Sequence, residues 1–201
     1  MFMNPNIESS YMRNAMGKIF YDAVIELGAK EIVDFGVLNG YSTICLAKAA
    51  KITGGRVYAY DLFDDYKYNG SKFEIFKKNI RDYEVDDVVD VKKMNFDDWT
   101  NNKHNFDLLH VDVSNTGDTI LKIASVVTKN LNENCKVFFE GGSEKRDKQD
   151  WMLKYSKTPI LSVKDLINFT VLAEDEYEDE NGRKFFPAIS TFCKKDIIKK
   201  W

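Results

Sequence analysis

The run Glu31-Ile32-Val33-Asp34-Phe35-Gly36-Val37-Leu38-Asn39-Gly40-Tyr41-Ser42-Thr43 constrains this chain more than any other stretch. Residues 31–35 read as a short buried strand, residues from 41 onward as the start of a helix, and Gly36 and Gly40 sit in the turn between them. Further apolar runs follow at 56–61, 88–94, 106–112 and 136–140, with stretches of helical spacing between them. Strands separated by helices make a parallel sheet covered on both faces, and 201 residues suffice for one such domain but not two. Lys136-Val137-Phe138-Phe139-Glu140 is nearly all apolar, as a central strand is, whereas residues 88–94 alternate and read as nearer the edge.

A glycine turn ahead of a helix lets backbone N–H groups approach a ligand, and the helix start adds unpaired donors with partial positive charge. Asp34 adds a carboxylate where a ligand ammonium can sit, so the turn suits a zwitterion better than a pyrophosphate. Its spacing, Asp34-x-Gly36-x-x-x-Gly40, also departs from the dinucleotide fingerprint G-x-G-x-x-G. Three more apolar runs end in an acid, at Asp61, Asp112 and Glu140. Open α/β sheets bind ligands outside the carboxyl ends of their strands, so four acids at such ends point to one site.

Asp34-x-Gly36-x-x-x-Gly40-Tyr41-Ser42 resembles motif I of class I S-adenosylmethionine-dependent methyltransferases. The Gly-Tyr-Ser continuation is similar to the small-molecule, catechol-type O-methyltransferase branch, and the strand ending in Asp112 resembles that family's motif IV. The resemblance implies a Rossmann-like, doubly wound α/β fold with a mostly parallel seven-stranded sheet and a C-terminal antiparallel hairpin. Residues 169–173 and 187–193, either side of an Asn181-Gly182 turn, supply that hairpin, so the likeness covers nearly all of a single domain, 1–201. S-adenosyl-L-methionine is the implied cofactor. Asp34, Gly36, Gly40, Tyr41 and Ser42 would meet it at the first turn. Asp61 lies about twenty residues past Gly40, the place of the acid that accepts ribose hydroxyls. Leu62 and Phe63 would flank the adenine, and Asp97, or else Asn95, beside Phe96, would read its amino group.

Methyl transfer to a hydroxyl needs positioning and a base, and Asp112 and Glu140 are the catalytic candidates. In the resembled branch, acids at these two strand ends bind a divalent cation together with an Asn that follows the second. Here Gly141 stands in place of that Asn, and Val113-Ser114-Asn115 lacks the lysine common after the first acid. Two carboxylates with waters still make Asp112 and Glu140 candidate ligands for Mg2+. Asp112-Val113-Ser114-Asn115 lacks the Pro-Pro-aromatic continuation of adenine and glutamine methylating branches, which favours a small hydroxylated acceptor such as a sugar or natural-product intermediate. Two rival readings are a nicotinamide-dependent oxidoreductase, which NAD affinity would reveal, and a non-catalytic S-adenosylmethionine-binding subunit, which would bind without turnover.

Residues 9–28 read as an amphipathic helix capped by Ser9 or Ser10 and ended by Gly28, packed on the sheet. Its alternative role is a lid carrying Tyr11, Met12 and Met16. Ser42 is placed to cap the second helix, Ser71 opens a capping box, and Asn115 or Thr116 precedes a helix bearing Ile120, Ile123, Ala124, Val127 and Leu131. His110 reads as a buried, hydrogen-bonded residue and His104 as exposed. The charged run 144–150 is either a solvated loop or a substrate-facing one in which Lys145 or Arg146 holds an acidic acceptor. The acidic stretch 174–180 reads as a solvated hairpin tip. A net charge of −3 gives no case for nucleic acid or an anionic membrane, and no apolar run reaches membrane-spanning length. No signal peptide is visible, and Cys45, Cys135 and Cys193 read as core thiols of a reduced, cytoplasmic protein. A small molecule is the expected partner, and a homodimer is compatible with everything above.

Overall fold

The computed structural model describes residues 1–66, 72–101 and 105–198. The expected cap at Ser71 and the reading of His104 lie outside the described residues. Five strands run parallel: β1 (Glu31–Phe35), β2 (Arg56–Asp61), β3 (Val89–Lys93), β4 (Leu108–Val111) and β5 (Lys136–Glu140). Two more, β6 (Thr170–Glu174) and β9 (Ala188–Cys193), complete a seven-stranded sheet of order β3-β2-β1-β4-β5-β9-β6, in which β9 is antiparallel to both its neighbours. Between β6 and β9 the chain makes a small ribbon, β7 (Tyr177–Glu178) and β8 (Lys184–Phe185), with Gly182 at φ +78° in its turn. This is the doubly wound sheet with a closing antiparallel hairpin that the sequence implies.

Strand alternation sorts the core into two layers. Ile32, Val57, Ala59, Leu108 and Phe138 face α1 (Gly17–Leu27), α2 (Tyr41–Thr53) and α3 (Phe73–Asp82). Val33, Phe35, Leu109, Val111, Val137 and Phe139 face α4 (Phe96–Thr100) and α5 (Gly117–Lys129). Strand order reverses between β1 and β4, which opens the crevice where such sheets bind ligands. The register β1/β4 pairs Phe35 with Val111, so Gly36 and Asp112 leave the sheet side by side. A Cβ on Gly36 would lie 1.9 Å from the Asp112 carbonyl oxygen, and its φ is +82°, so glycine is needed there on both counts.

Several local expectations shift. The first helix begins at Gly17 rather than Ser9 or Ser10, because residues 10–16 fold as turns with Ala15 at φ +49°. Gly17 sits tight on α2, its N–H donating to the Tyr41 hydroxyl at 3.2 Å, and Gly28 in the left-handed region ends the helix as expected. Tyr11 and Met16 are buried in the core layer shared with α1 and α2. Ser42 is not the cap of α2. Gly40 at φ +97° occupies that position, and Ser42 lies inside the helix. Thr116 caps α5, accepting from the Thr119 N–H, while Leu131 lies past its end and is exposed. Asn115 instead donates to the carbonyls of Val111 and Glu140, each at 2.9 Å, and ties the ends of β4 and β5 together.

Candidate active site

A cavity of about 660 Å3 opens over the carboxyl ends of the parallel strands. Gly36, Asp61, Leu62, Asn95, Phe96, Asp97, Asp112 and Glu140 all line it, so most of the residues read from sequence come together. Asp61 stands at its edge almost buried, with one oxygen accepting from the Leu38 N–H at 3.0 Å and the other from the Phe63 N–H at 2.8 Å. Two backbone donors thus fix the carboxylate and leave lone pairs for ligand hydroxyls. Both donors belong to residues with positive φ, Leu38 at +47° and Phe63 at +48°, a strain that recurs where a site dictates the backbone. Phe63 does not flank the cavity. Its ring turns into the core against Phe73 and Phe76, and Leu62 alone of the two is left to face a ligand.

The adenine-side residues meet at the start of α4. Asn95 Oδ1 accepts from the Asp97 N–H at 2.9 Å and caps the helix, which leaves the side-chain N–H2 for a ligand. The Asp97 carboxylate accepts from Lys122 at 2.6 Å. Phe96 packs edge-on to Phe35, another wall of the cavity.

Four residues read as cofactor contacts sit elsewhere. Asp34 points to the α1/α2 face, opposite in parity to Phe35, and is fully buried. Its carboxylate accepts from Ser42 at 2.9 Å and Thr43 at 2.6 Å and pairs with His110 Nδ1 at 2.7 Å, so it fastens α2 to β1 and β4 rather than meeting a ligand ammonium. His110 is buried and hydrogen-bonded, as its apolar strand suggested. Gly40 turns its back to the cavity, under the Phe76 ring. The Tyr41 hydroxyl donates to Asn4 Oδ1 at 2.5 Å and accepts from Gly17, pinning the N-terminal segment. Tyr41 and Ser42 border only a smaller space of about 60 Å3, which shares Ser10, Gly36 and Asp112 with the large cavity.

Asp112 therefore stands where the two spaces join. Burial, then the nearby Glu140 carboxylate, push its carboxyl up to about 7, while His110, the Tyr11 hydroxyl and Arg146 pull the other way. Tyr11 itself is held well above the usual phenol range by burial and by Asp112, so it stays a neutral O–H facing that carboxylate. Glu140 is differently placed. Arg146, in α6 (Glu144–Asp147), donates from Nε to the two Glu140 oxygens at 2.7 and 2.9 Å, and from Nη2 to one of them at 2.7 Å. Both partners are almost wholly buried, a bidentate pair that the sequence reading of Arg146 did not foresee. Burial opposes the Arg146 charge, but Glu140 more than offsets it.

This geometry does not fit a divalent cation. Glu140 already has a guanidinium across its carboxylate, and a metal ion between Glu140 and Asp112 would be set against that positive charge. Among the described residues no group of three or more His, Cys, Asp or Glu could hold a metal. Lys145, the other expected anion holder, pairs with Glu176 at 2.7 Å. The outer wall was missed in the sequence. Trp151, in α7 (Asp150–Lys154), and Lys157 come from the stretch after β5, and Arg183, Phe185 and Phe186 come from the β7–β8 ribbon. The sequence signal was Arg183-Lys184-Phe185-Phe186, a basic and aromatic stretch passed over beside its acidic neighbours.

Residues 33–140, more than half of the chain, match a family model described as a methyltransferase domain. The chain belongs to that methyltransferase family. Among curated proteins none matches this methyltransferase in sequence. Solved structures share its fold. An O-methyltransferase from Bacillus cereus in complex with SAH is 19% identical with a TM-score of 0.63, covering 95% of this chain and 84% of that one. The O-methyltransferase TomG from Streptomyces achromogenes, involved in tomaymycin synthesis and in complex with SAM, is 15% identical with a TM-score of 0.59, over 93% and 81%. A precorrin-6y C5,15-methyltransferase from Geobacter metallireducens is 12% identical with a TM-score of 0.58, over 94% and 92%. At such identities the likeness shows the fold, which serves acceptors as different as these names imply.

Proposed function

We propose that this methyltransferase uses S-adenosylmethionine to methylate a hydroxyl of a small acceptor, with Asp112 as the general base. The observation that carries the assignment is the contrast between two acids at adjacent strand ends: Glu140 is locked by Arg146, whereas Asp112 borders both spaces with its carboxylate committed to no cation. S-adenosylmethionine, when bound, supplies a methyl group on a sulfonium. Asp61 accepts the ribose hydroxyls, Gly36 lets the backbone approach, and Asn95 and Asp97 read the base. Asp112 takes the proton from the acceptor hydroxyl, and the Glu140–Arg146 pair holds the wall beside it. The SAM- and SAH-bound structures sharing this fold support the cofactor, and the O-methyltransferases among them favour oxygen as the site of transfer. Three free cysteines fit a reducing, cytoplasmic setting, and among the described residues no helix is long and apolar enough to cross a membrane.

Calorimetry with S-adenosylmethionine, S-adenosylhomocysteine and NAD on the wild type and Asp61→Ala tests the donor half. The first two are expected to bind with Kd of about 10⁻⁴ to 10⁻⁶ M, and the variant to lose them. Binding of NAD instead would return the protein to the oxidoreductases. Asp112→Asn, expected to keep S-adenosylhomocysteine affinity and lose turnover, separates an enzyme from a binding subunit.

A further inference from the structure

The cavity's charges are unevenly satisfied. Lys122 is paired with Asp97, and the Nε/Nη2 edge of Arg146 with Glu140. Lys157 and Arg183, both exposed and both lining the cavity, have no carboxylate partner among the described residues. Asp118, another acid of the lining, accepts from Thr158 at 2.9 Å. At the inner end, Arg146 Nη1 is buried and donates to nothing. The surfaces between these cations are flat and aromatic. The Arg146 guanidinium lies 5.0 Å from the Trp151 ring centre, and that of Arg183 lies 4.9 Å from the Phe185 ring centre, with Phe186 beside it in the wall.

We propose that the acceptor is a hydroxylated aromatic carboxylate. Its ring lies among Trp151, Phe185 and Phe186, its carboxylate is received by Lys157 and Arg183, and its hydroxyl turns toward Asp112. A planar guanidinium fork and an ammonium match a carboxylate, and the aromatic faces offer an aromatic ring offset-stacked or edge-to-face contacts. This names the acceptor class for the reading above and rests on it.

The test is calorimetry at saturating S-adenosylhomocysteine with 3-hydroxybenzoate, 3-hydroxybenzamide and 3-hydroxybenzylamine, which share ring and hydroxyl and differ in charge. The benzoate is expected to bind at least about tenfold more tightly than the amide, the effect of one good ion contact, with the amine weaker still. In Lys157→Ala/Arg183→Ala, two surface changes that leave S-adenosylhomocysteine binding intact, that preference should fall below about threefold. Equal binding of amide and benzoate, a preference that survives the double variant, or no saturable binding of the benzoate would overturn the proposal. Failure of S-adenosylhomocysteine itself to bind would overturn the donor reading instead, so the two are told apart.

Discussion

Asp112→Asn should make the protein more stable while abolishing its turnover. The native carboxyl sits at about 7, against 3.8 for a free one, because burial and Glu140 disfavour its charge. The folded state therefore holds a proton that the unfolded chain has lost, and stability falls as pH rises from about 4 to about 7, then levels off. Three pH units at 1.36 kcal/mol each set a ceiling of about 4 kcal/mol at pH 8. Asn keeps the shape of the neutral acid without the ionisation. The variant should thus match the wild type near pH 4 and exceed it at pH 8, by roughly 8–16 °C in Tm if the full ceiling is realised. Thermal and urea melts at the two pH values measure this. The same ionisation acts oppositely on catalysis, so wild-type turnover should climb with pH through about 7. A variant that is destabilised at pH 8, or whose advantage is the same at both pH values, would show that Asp112 carries no buried charge and would refute the reasoning.

Arg146→Met should cost about 3–5 kcal/mol in a urea melt by stranding the Glu140 carboxylate, and adding Glu140→Gln should recover most of it; a single-variant loss below about 1 kcal/mol would mean the pair is solvated. Turnover should be unchanged after treatment with a chelator, since a guanidinium already sits across Glu140, and activity restored only by Mg2+ would contradict that placement. Gly36→Ala should lose roughly 2 kcal/mol or more and its S-adenosylhomocysteine affinity, because its methyl would meet the Asp112 carbonyl; retained affinity by calorimetry would count against the close approach.

The sheet was readable in the sequence because strand and helix periods differ and β1, β2, β4 and β5 are each bounded by glycine or acid. β5 falls on 136–140 as expected, and the acids at 61, 112 and 140 reach one cavity. Asp34 was misread because its position at a strand end is visible in sequence while its direction depends on parity, and parity turned it toward Ser42, Thr43 and His110. Ser42 followed it: the helix starts at Tyr41 behind Gly40, which places Ser42 in the first turn with its hydroxyl donating to Asp34. The Glu140–Arg146 pair joins residues only six apart, yet it depends on the left-handed backbone at Gly141 and Gly142 that turns the chain back. The aromatic and basic wall was hidden because three of its members follow an acidic stretch whose charge dominated the reading.

The aromatic and basic wall of the cavity is contributed by α7, the loop after it and the β7–β8 ribbon, none of which belongs to the parallel strands that present Gly36, Asp61 and Asp112. On the proposed reading, donor handling and acceptor choice are modular. A descendant of this protein could exchange a ribbon of about ten residues and acquire a new clientele while the machinery that delivers the methyl group went on undisturbed.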